Sequence, residues 1–445
     1  MAVAPFGKPA PHSASSTVSP EDAALDFLKS LKTPARVLVA YSGGGDSTGL
    51  LVALASALKD HPESDVTLIA ATVDHGLRPG SRAEAQRAGA LAERLSIPHH
   101  TLAWEGEKPA TGIQAAARTA RYGLLKDLAL SLDTDLIVTA HNLDDQVETL
   151  AMRQARNPEA ATGMSDAVLI ERRIWALRPF LGVRRAAIRD YLTERGIGWI
   201  DDPSNDNEAF ERVRVRKSID PSGAVADFAA LRAARRALAE ETAAFLMEHV
   251  VIHSVRVAML DLSSCQPENP AHLQAVLHLL AFTGGRTHIA GREASRRIAT
   301  FLAERRQSRL TAERVVLDRR GDRLFMIREK RSLPSAIIQP GSSVLWDHRF
   351  HIENRGTDAV MVSSRGGDGR GMPLIADTLP EDLPKSVRQC ALATEPVLPE
   401  GEIGMLAVEP IPANFVHFLP RDLLAIGNAL AILNGLDHFP ALPTR

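Results

Sequence analysis

The sequence predicts an α/β protein: a doubly wound parallel sheet in the first half, then a helical middle domain, then a small mixed α/β domain. Three observations carry that expectation. Short apolar runs alternate with helix-length stretches between about residues 37 and 195. From about Asn205, Ala-, Leu- and Arg-rich stretches with helical spacing replace the alternation. Beyond Leu333 the chain turns to Pro, Gly and short β-branched runs.

The elements follow in order. Residues 1–20 are rich in Ala, Ser and Pro and lack an apolar h-region, so they read as a flexible tail and not a signal peptide. Val37–Tyr41 reads as a buried strand, and Leu50–Ala55 begins a helix. Val66–Val73 reads as a second strand, Arg82–Leu95 as a helix and His99–Trp104 as a third strand. Ile113–Leu130, Leu143–Arg156 and Arg184–Arg195 read as helices, with strands at Asp135–Ala140 and Trp175–Leu177. Residues 21–217 therefore form the first domain. Asp227–Val250, Ala271–Thr283 and Arg292–Arg305 supply helices to a middle domain at 218–331. Ser342–Trp346 and Val360–Val362 mark strands of a domain at 340–445, and the Gly- and Arg-rich run Ser363–Gly371 reads as a surface loop.

The strongest local signal is Ser42-Gly43-Gly44-Gly45-Asp46-Ser47, placed between the first strand and its helix. Strand, glycine-rich turn and helix together aim backbone N–H groups at a bound phosphate. The glycines permit close approach and positive φ. No lysine is present, so this is not a Walker loop, and Thr48 stands where a dinucleotide fingerprint needs a third glycine. Asp46 pressed against a pyrophosphate is repelled unless a divalent cation lies between them. The loop therefore fits Mg²⁺-bound ATP, with Asp46 as metal ligand. Ser42 and Ser47 add hydroxyl donors, and Ser47 is placed to cap the helix.

A second constellation, His141-Asn142-Leu143-Asp144-Asp145-Gln146-Val147-Glu148-Thr149, starts where the fourth strand ends. Asp145 and Glu148 stand three apart, on one helical face. Such a pair complements a helix dipole, or holds an ammonium group or a metal. Its place at the same sheet edge as the phosphate loop favours a functional role.

Composition narrows the classes. The chain has 445 residues, enough for two or three domains. It has no apolar run long enough to span a bilayer, so no membrane partner is expected and the protein reads as cytoplasmic. Cys265 and Cys390 form no CxxC, so neither a disulfide framework nor a zinc site is indicated.

These residues now support a resemblance. Ser42–Ser47, Val73-Asp74-His75-Gly76-Leu77-Arg78, Arg118-Thr119-Ala120-Arg121-Tyr122 and His141–Thr149 together resemble the tRNA(Ile)-lysidine synthetase family of PP-loop ATP pyrophosphatases. Asp202-Pro203-Ser204-Asn205, followed by Phe210, Arg212 and Arg216, is similar to the family's signature at the end of its first domain. The match is close over roughly residues 30–220 and loose afterwards, where the Leu324–Glu329 strand and Trp346–Phe350 are familiar. Val213 stands where the family usually has Asn, and Arg156–Met164 lacks the usual Arg-Gly-Ser/Thr-Gly run.

The resemblance implies a Rossmann-like PP-loop fold and a ligase reaction. ATP adenylates the C2 oxygen of the wobble cytidine in the isoleucine tRNA with a CAU anticodon. The ε-amine of free L-lysine then displaces AMP, and pyrophosphate is the other product. Ser42, Gly43, Gly44, Gly45, Asp46 and Ser47 would hold ATP, with Asp46 placing Mg²⁺. Asp145 and Glu148 would clasp the lysine. Free lysine has a pKa of about 10.4, so a carboxylate or His141 must take a proton from the attacking amine. Arg121 resembles a family arginine near the reacting groups, and Arg212 and Arg216 would bind tRNA. The sequence leaves the oligomeric state open, a homodimer included.

Charge distribution agrees with an RNA partner. The whole chain carries −2, yet residues 286–331 contain fourteen Lys/Arg against six Asp/Glu, or +8. Arg212–Lys217 adds four basic residues in six. Such clusters suit a phosphate backbone. Few aromatics argue for recognition by shape and phosphate contacts over base stacking. A thiolase would need paired cysteines near the loop, and none precedes Cys265. An amidating synthetase would usually bring a glutaminase domain or partner, or a different C-terminal region. A non-catalytic RNA-binding module has no reason to keep Asp46, Asp145 and Glu148 beside phosphate. Asp46 also spoils the site for a dehydrogenase.

Overall fold

The computed structural model describes residues 18–77, 80–109, 111–156, 162–201, 211–219, 227–304, 306–366, 371–398 and 406–445. Most of the N-terminal stretch, Asp202–Phe210 and Arg78 lie outside them. The chain divides into two compact units, one of residues 2–232 with 440–445 and one of 233–439.

The N-terminal unit opens with α1 (Pro20–Ser30), which Ser19 caps by accepting the Asp22 N–H at 3.0 Å. Then come β1 (Ala35–Ala40), α2 (Gly45–Asp60), β2 (Val66–Asp74), α3 (Ser81–Arg94), β3 (His99–Ala103), α4 (Ile113–Ser131), β4 (Leu136–Val138) and α5 (Leu143–Arg156). β5 (Ala167–Ile170), β6 (Ile174–Leu177), α6 (Arg185–Glu194) and α7 (Glu211–Ser218) complete it. The alternation read from the sequence is thus the one observed, with α1, β5 and α7 as additions.

Within this unit the strands lie in the order β5-β6-β4-β1-β2-β3. All neighbours are parallel except β5 and β6. Val37, Leu38 and Val39 of β1 are fully buried, as a central strand covered on both faces requires. Each such side chain contributes roughly 1.5–3 kcal/mol by leaving water. From β1 the chain moves to β2 on one side and to β4 on the other. The loops after β1 and β4 therefore open into the crevice where strand order reverses, the usual ligand position in open α/β sheets. Residues 440–445 also belong here. Trp175 Nε1 donates to the Pro440 carbonyl at 2.9 Å, and the Arg445 N–H to that of Ser30 at 2.7 Å.

In the C-terminal unit, α8 (Phe228–His249, beginning before the boundary), α9 (Pro270–Gly284) and α10 (Arg292–Ala303) are the helices read from the sequence. With them stands an antiparallel sheet, in which β7 (Val250–His253), β8 (Val257–Asp261), β9 (Ser308–Ala312), β10 (Val315–Arg320) and β11 (Arg323–Arg328) lie in the order β7-β8-β11-β10-β9. Its strands are short, and β9, β10 and β11 carry arginines, so their alternation is weak beside that of the helices.

The remainder holds β12 (Ala336–Ile338), β13 (Ser343–Trp346), β14 (Phe350–Asn354), β15 (Val360–Ser364), β16 (Met372–Pro373), α11 (Lys385–Ala393), β17 (Pro396–Leu398), β18 (Leu406–Pro410) and α12 (Leu424–Leu433). Trp346, Phe350, Ile352 and Val362 centre its core. Ser363 and Ser364, read as the start of a loop, instead end β15 and pair with Val397 and Pro396. Residues 367–370 of that run lie outside the described residues. Among the described residues no helix is long and apolar enough to cross a membrane.

Candidate active site

Of the three loop glycines, Gly43 is the one in the left-handed region. Gly43 takes φ +80°, and Gly44 is the N-cap of α2 without any side-chain capping bond. The first-turn N–H groups therefore lack a capping side chain and face the end of β1. Ser47 is not the cap. Its hydroxyl donates to the Gly44 carbonyl at 3.0 Å, accepts the Ser42 N–H at 3.1 Å and lies 3.0 Å from Ser42 Oγ. Thr48 Oγ1 donates to the Gly43 carbonyl at 3.1 Å. These bonds hold the turn open. Trp199 and Ile200 back it: Ile200 N–H donates to the Gly43 carbonyl at 2.9 Å, and a Cβ on Gly43 would stand 2.7 Å from Ile200 Cδ1.

The second constellation begins at Asn142, which is fully buried. Its Oδ1 accepts the Asp145 N–H while Asp145 Oδ2 accepts the Asn142 N–H, both at 3.0 Å. This reciprocal cap fixes one carboxylate oxygen of Asp145 and leaves the other facing the site. Glu148 follows one turn on, with a side chain only 3% exposed.

Three arginines meet this acidic pair. Arg185, at the start of α6, donates to Asp145 Oδ1 at 2.8 Å and to Glu148 Oε1 at 3.3 Å, and its Nε stands 3.5 Å from Asp46 Oδ2. Its backbone N–H is held by Asp144 Oδ2 at 2.7 Å. Arg212 reaches Glu148 Oε2 at 2.6 Å and Asp145 Oδ1 at 2.9 Å, and Arg216 reaches Glu148 Oε1 at 2.7 Å. The residues expected to hold lysine and those expected to hold tRNA are thus bonded to each other. Arg185, which links Asp46, Asp145 and Glu148, was not singled out from the sequence. Its only signal was a position opening a helix at the ligand edge.

The electrostatics follow from this packing. Burial pushes the Asp46 carboxyl above its ordinary range against the pull of Arg185, and Asp145 adds to the rise. Burial also acts upward on Glu148, but hydrogen bonds from Arg216 and Arg212 hold its carboxyl below the ordinary range. Among the described residues no group of three or more His, Cys, Asp or Glu forms a metal cage. Asp46, about one-third exposed at the start of α2, fits the usual Mg²⁺ arrangement of one or two carboxylates completed by substrate phosphates.

A basic cluster adjoins the acids through Arg212. Burial, then Arg178, Arg121, Arg118 and Arg212, holds His141 well below its ordinary value, so its ring is neutral near pH 7. His141 Nδ1 lies 2.9 Å from Thr139 Oγ1. Arg118 and Arg121 stand over the Tyr122 ring at 5.0 and 5.1 Å. Burial raises the Tyr122 phenol, but Arg121, Arg118 and Arg178 together bring it down to about 8. Arg121 Nε is buried with no hydrogen-bond partner among the described residues. All the site residues expected from the sequence, from Ser42 to Arg216, therefore gather at one sheet edge. Arg178 and Arg185 join them.

Comparisons with known proteins show the family. Residues 17–222 match the PP-loop domain family. The chain is 40% identical to a tRNA(Ile)-lysidine synthase of Rhizobium meliloti, over 95% of this chain and 97% of that one. It is 38% identical to a tRNA(Ile)-lysidine synthase of Mesorhizobium japonicum, over 91% and 94%. Among solved structures, a U34-tRNA thiolase of Methanococcus maripaludis is similar at 16% identity and a TM-score of 0.37, over 44% of this chain and 70% of that one.

Proposed function

The chain belongs to the tRNA(Ile)-lysidine synthase family, and from that premise we propose how its residues divide the work of an ATP-dependent ligase acting on tRNA(Ile). The observation that carries the reading is the open, uncapped α2 N-terminus at the same edge as the buried pair Asp145 and Glu148.

The Ser42–Ser47 loop receives the β,γ-pyrophosphate of ATP. Asp46 would hold Mg²⁺, which when bound would supply the charge that offsets carboxylate–phosphate repulsion. The wobble cytidine's C2 oxygen attacks the α-phosphorus, and pyrophosphate leaves. Arg121, with its unpartnered buried Nε, stabilises the charge that develops on the phosphoryl oxygens. The lysine ε-nitrogen then forms the bond to C2 as the C2–O bond breaks and AMP departs. Asp145 and Glu148 hold the lysine's amino groups, which requires Arg212 and Arg216 to leave them for the RNA phosphates. Neutral His141 is available to take the amine proton, though its depressed basicity gives little driving force, and a carboxylate shares that candidacy. Residues 218–331 extend the RNA contact with their positive charge.

The test is incorporation of labelled lysine into a CAU-anticodon isoleucine tRNA transcript with ATP and Mg²⁺, with elongator methionine tRNA as control. Incorporation into the first alone is expected. Hydrolysis of ATP to AMP and pyrophosphate without incorporation would sink the ligase reading and leave the loop chemistry.

A further inference from the structure

We propose that Tyr122 is a positioning residue for the adenylation step: its buried ring is the floor on which the Arg118 and Arg121 guanidinium groups are ordered for the α-phosphate. The inference rests on the ligase reading above, in which Arg121 stabilises the charge that develops on the phosphoryl oxygens.

The arrangement starts from spacing. Arg118 and Tyr122 stand four apart on α4, so they share one helical face. Arg121 directly precedes the tyrosine and turns onto the same ring. The two guanidinium carbons stand 5.0 and 5.1 Å from the ring centroid, within the roughly 6 Å of a cation–π contact. Tyr122 is only 1% exposed, whereas Arg118 is exposed and Arg121 half-buried. The ring is thus the fixed part and the two cations the accessible part. Unsupported, such long side chains keep their rotamer freedom, and their like charges push them apart. The aromatic face attracts both through its π-system and leaves their N–H groups for phosphate. Arg121 Nε, buried without a hydrogen-bond partner among the described residues, is one such donor. The acidic helix shows the contrary case, since Asp145 and Glu148 take up the donors of Arg185, Arg212 and Arg216.

The hydroxyl ties the same floor to pH. α4 packs against β2, β4 and β6. Arg178, which follows β6, acts on the Tyr122 phenol with Arg121 and Arg118, and together they outweigh burial and bring it down to about 8. His141 after β4 and His75 after β2 are held below their ordinary value, first by burial and then by arginines, so neither changes charge near pH 8. Asp74 at the end of β2 is held low by hydrogen bonds from Ser81 and the Gly76 N–H, so it stays ionised there. On α4 itself, Lys126 is paired with Glu171 and Asp127. Among these groups the tyrosine is the one whose charge changes around pH 8. Below that pH the arginines offer their full charge to ATP, and above it the phenolate offsets one unit of it.

The experiment follows initial pyrophosphate release by the full chain with ATP, Mg²⁺ and excess isoleucine tRNA transcript, without lysine, from about pH 6.5 to about 9.5. The ratio kcat/KM for ATP reports groups of the free enzyme, so in the wild type it should fall above about pH 8, by up to about ten-fold per unit. Tyr122→Phe keeps the ring and should abolish that fall. Tyr122→Leu removes the ring and should lower kcat and kcat/KM together by about ten-fold near neutral pH, the pattern of an interaction made in the transition state. Tyr122→Phe should recover most of that loss. Thermal melts read folding separately, and if Tyr122→Leu does not fold the Tyr122→Phe profile decides alone. A flat wild-type profile, a fall that persists in Tyr122→Phe, or wild-type kcat in folded Tyr122→Leu would overturn the inference. Absence of pyrophosphate release from the wild type sinks the ligase reading instead.

Discussion

Arg216 Nε lies 2.7 Å from Glu148 Oε1, so a side chain assigned to the RNA neutralises one assigned to lysine. Arg212 and Arg185 complete the same arrangement from two other helix positions. In this conformation the acidic pair is satisfied by the protein's own guanidinium groups.

Glu148→Gln keeps the shape and removes the charge. A charge-assisted hydrogen bond is worth about 1.5–3 kcal/mol, so the KM for lysine should rise roughly ten- to hundred-fold. The ATP dissociation constant should hold. Arg216→Ala should reduce the salt slope of tRNA binding by about one. Steady-state kinetics and filter binding read the two, with thermal melts as a folding control. An unchanged lysine KM in Glu148→Gln would remove that residue from the lysine site.

The glycine loop predicts two separable losses. Gly43→Ala places a side chain at φ +80°, at a cost of about 1–2 kcal/mol, which should weaken ATP binding. Asp46→Asn spares the backbone and should cut adenylation about 10²-fold or more, the scale of a lost electrostatic contact. Release of AMP and pyrophosphate measures both. Full adenylation by Asp46→Asn would end its metal-binding role.

Stability should fall with acid through His278. The ring is buried against Phe415, its Nδ1 accepts from Asn414 Nδ2 at 3.1 Å, and burial then Arg235 lowers its pKa to about 4. Its ordinary value is about 6.5. Between these values the unfolded chain binds a proton that the folded chain refuses. The contribution is therefore fully present above pH 6.5 and is lost as pH falls toward 4, at up to about 1.4 kcal/mol per pH unit. Urea melts across this window should flatten in His278→Asn. An identical slope in that variant would exclude the histidine.

Much of the site was legible because its signals are local. A three-glycine turn between a strand and a helix needs no distant partner to be read, and Asp145 and Glu148 share a face by spacing alone. Arg185 carried no such signal. Its importance comes from standing near three carboxylates drawn from two other helices, which no window of sequence contains. Of the antiparallel sheet of the C-terminal unit only the strand at Leu324–Glu329 was read, and the rest was hidden for a related reason. Strands such as Ser308–Ala312 are short, polar and partly buried, and their order is fixed by pairing with β10. Nor does anything in residues 440–445 announce their return to the N-terminal unit.

The sequence by itself determined the alternation of strands and helices, the phosphate loop and the residues of the acidic helix. Those depend on hydrophobic period, backbone freedom at glycine and charge spacing, all of which act over a few residues. Only the tertiary structure decided that Arg185, Arg212 and Arg216 close on Asp145 and Glu148. It also decided that His141 is neutral among Arg178, Arg121 and Arg118. Ion pairing and desolvation depend on distance through space. The folded chain sets those distances among residues far apart in the sequence.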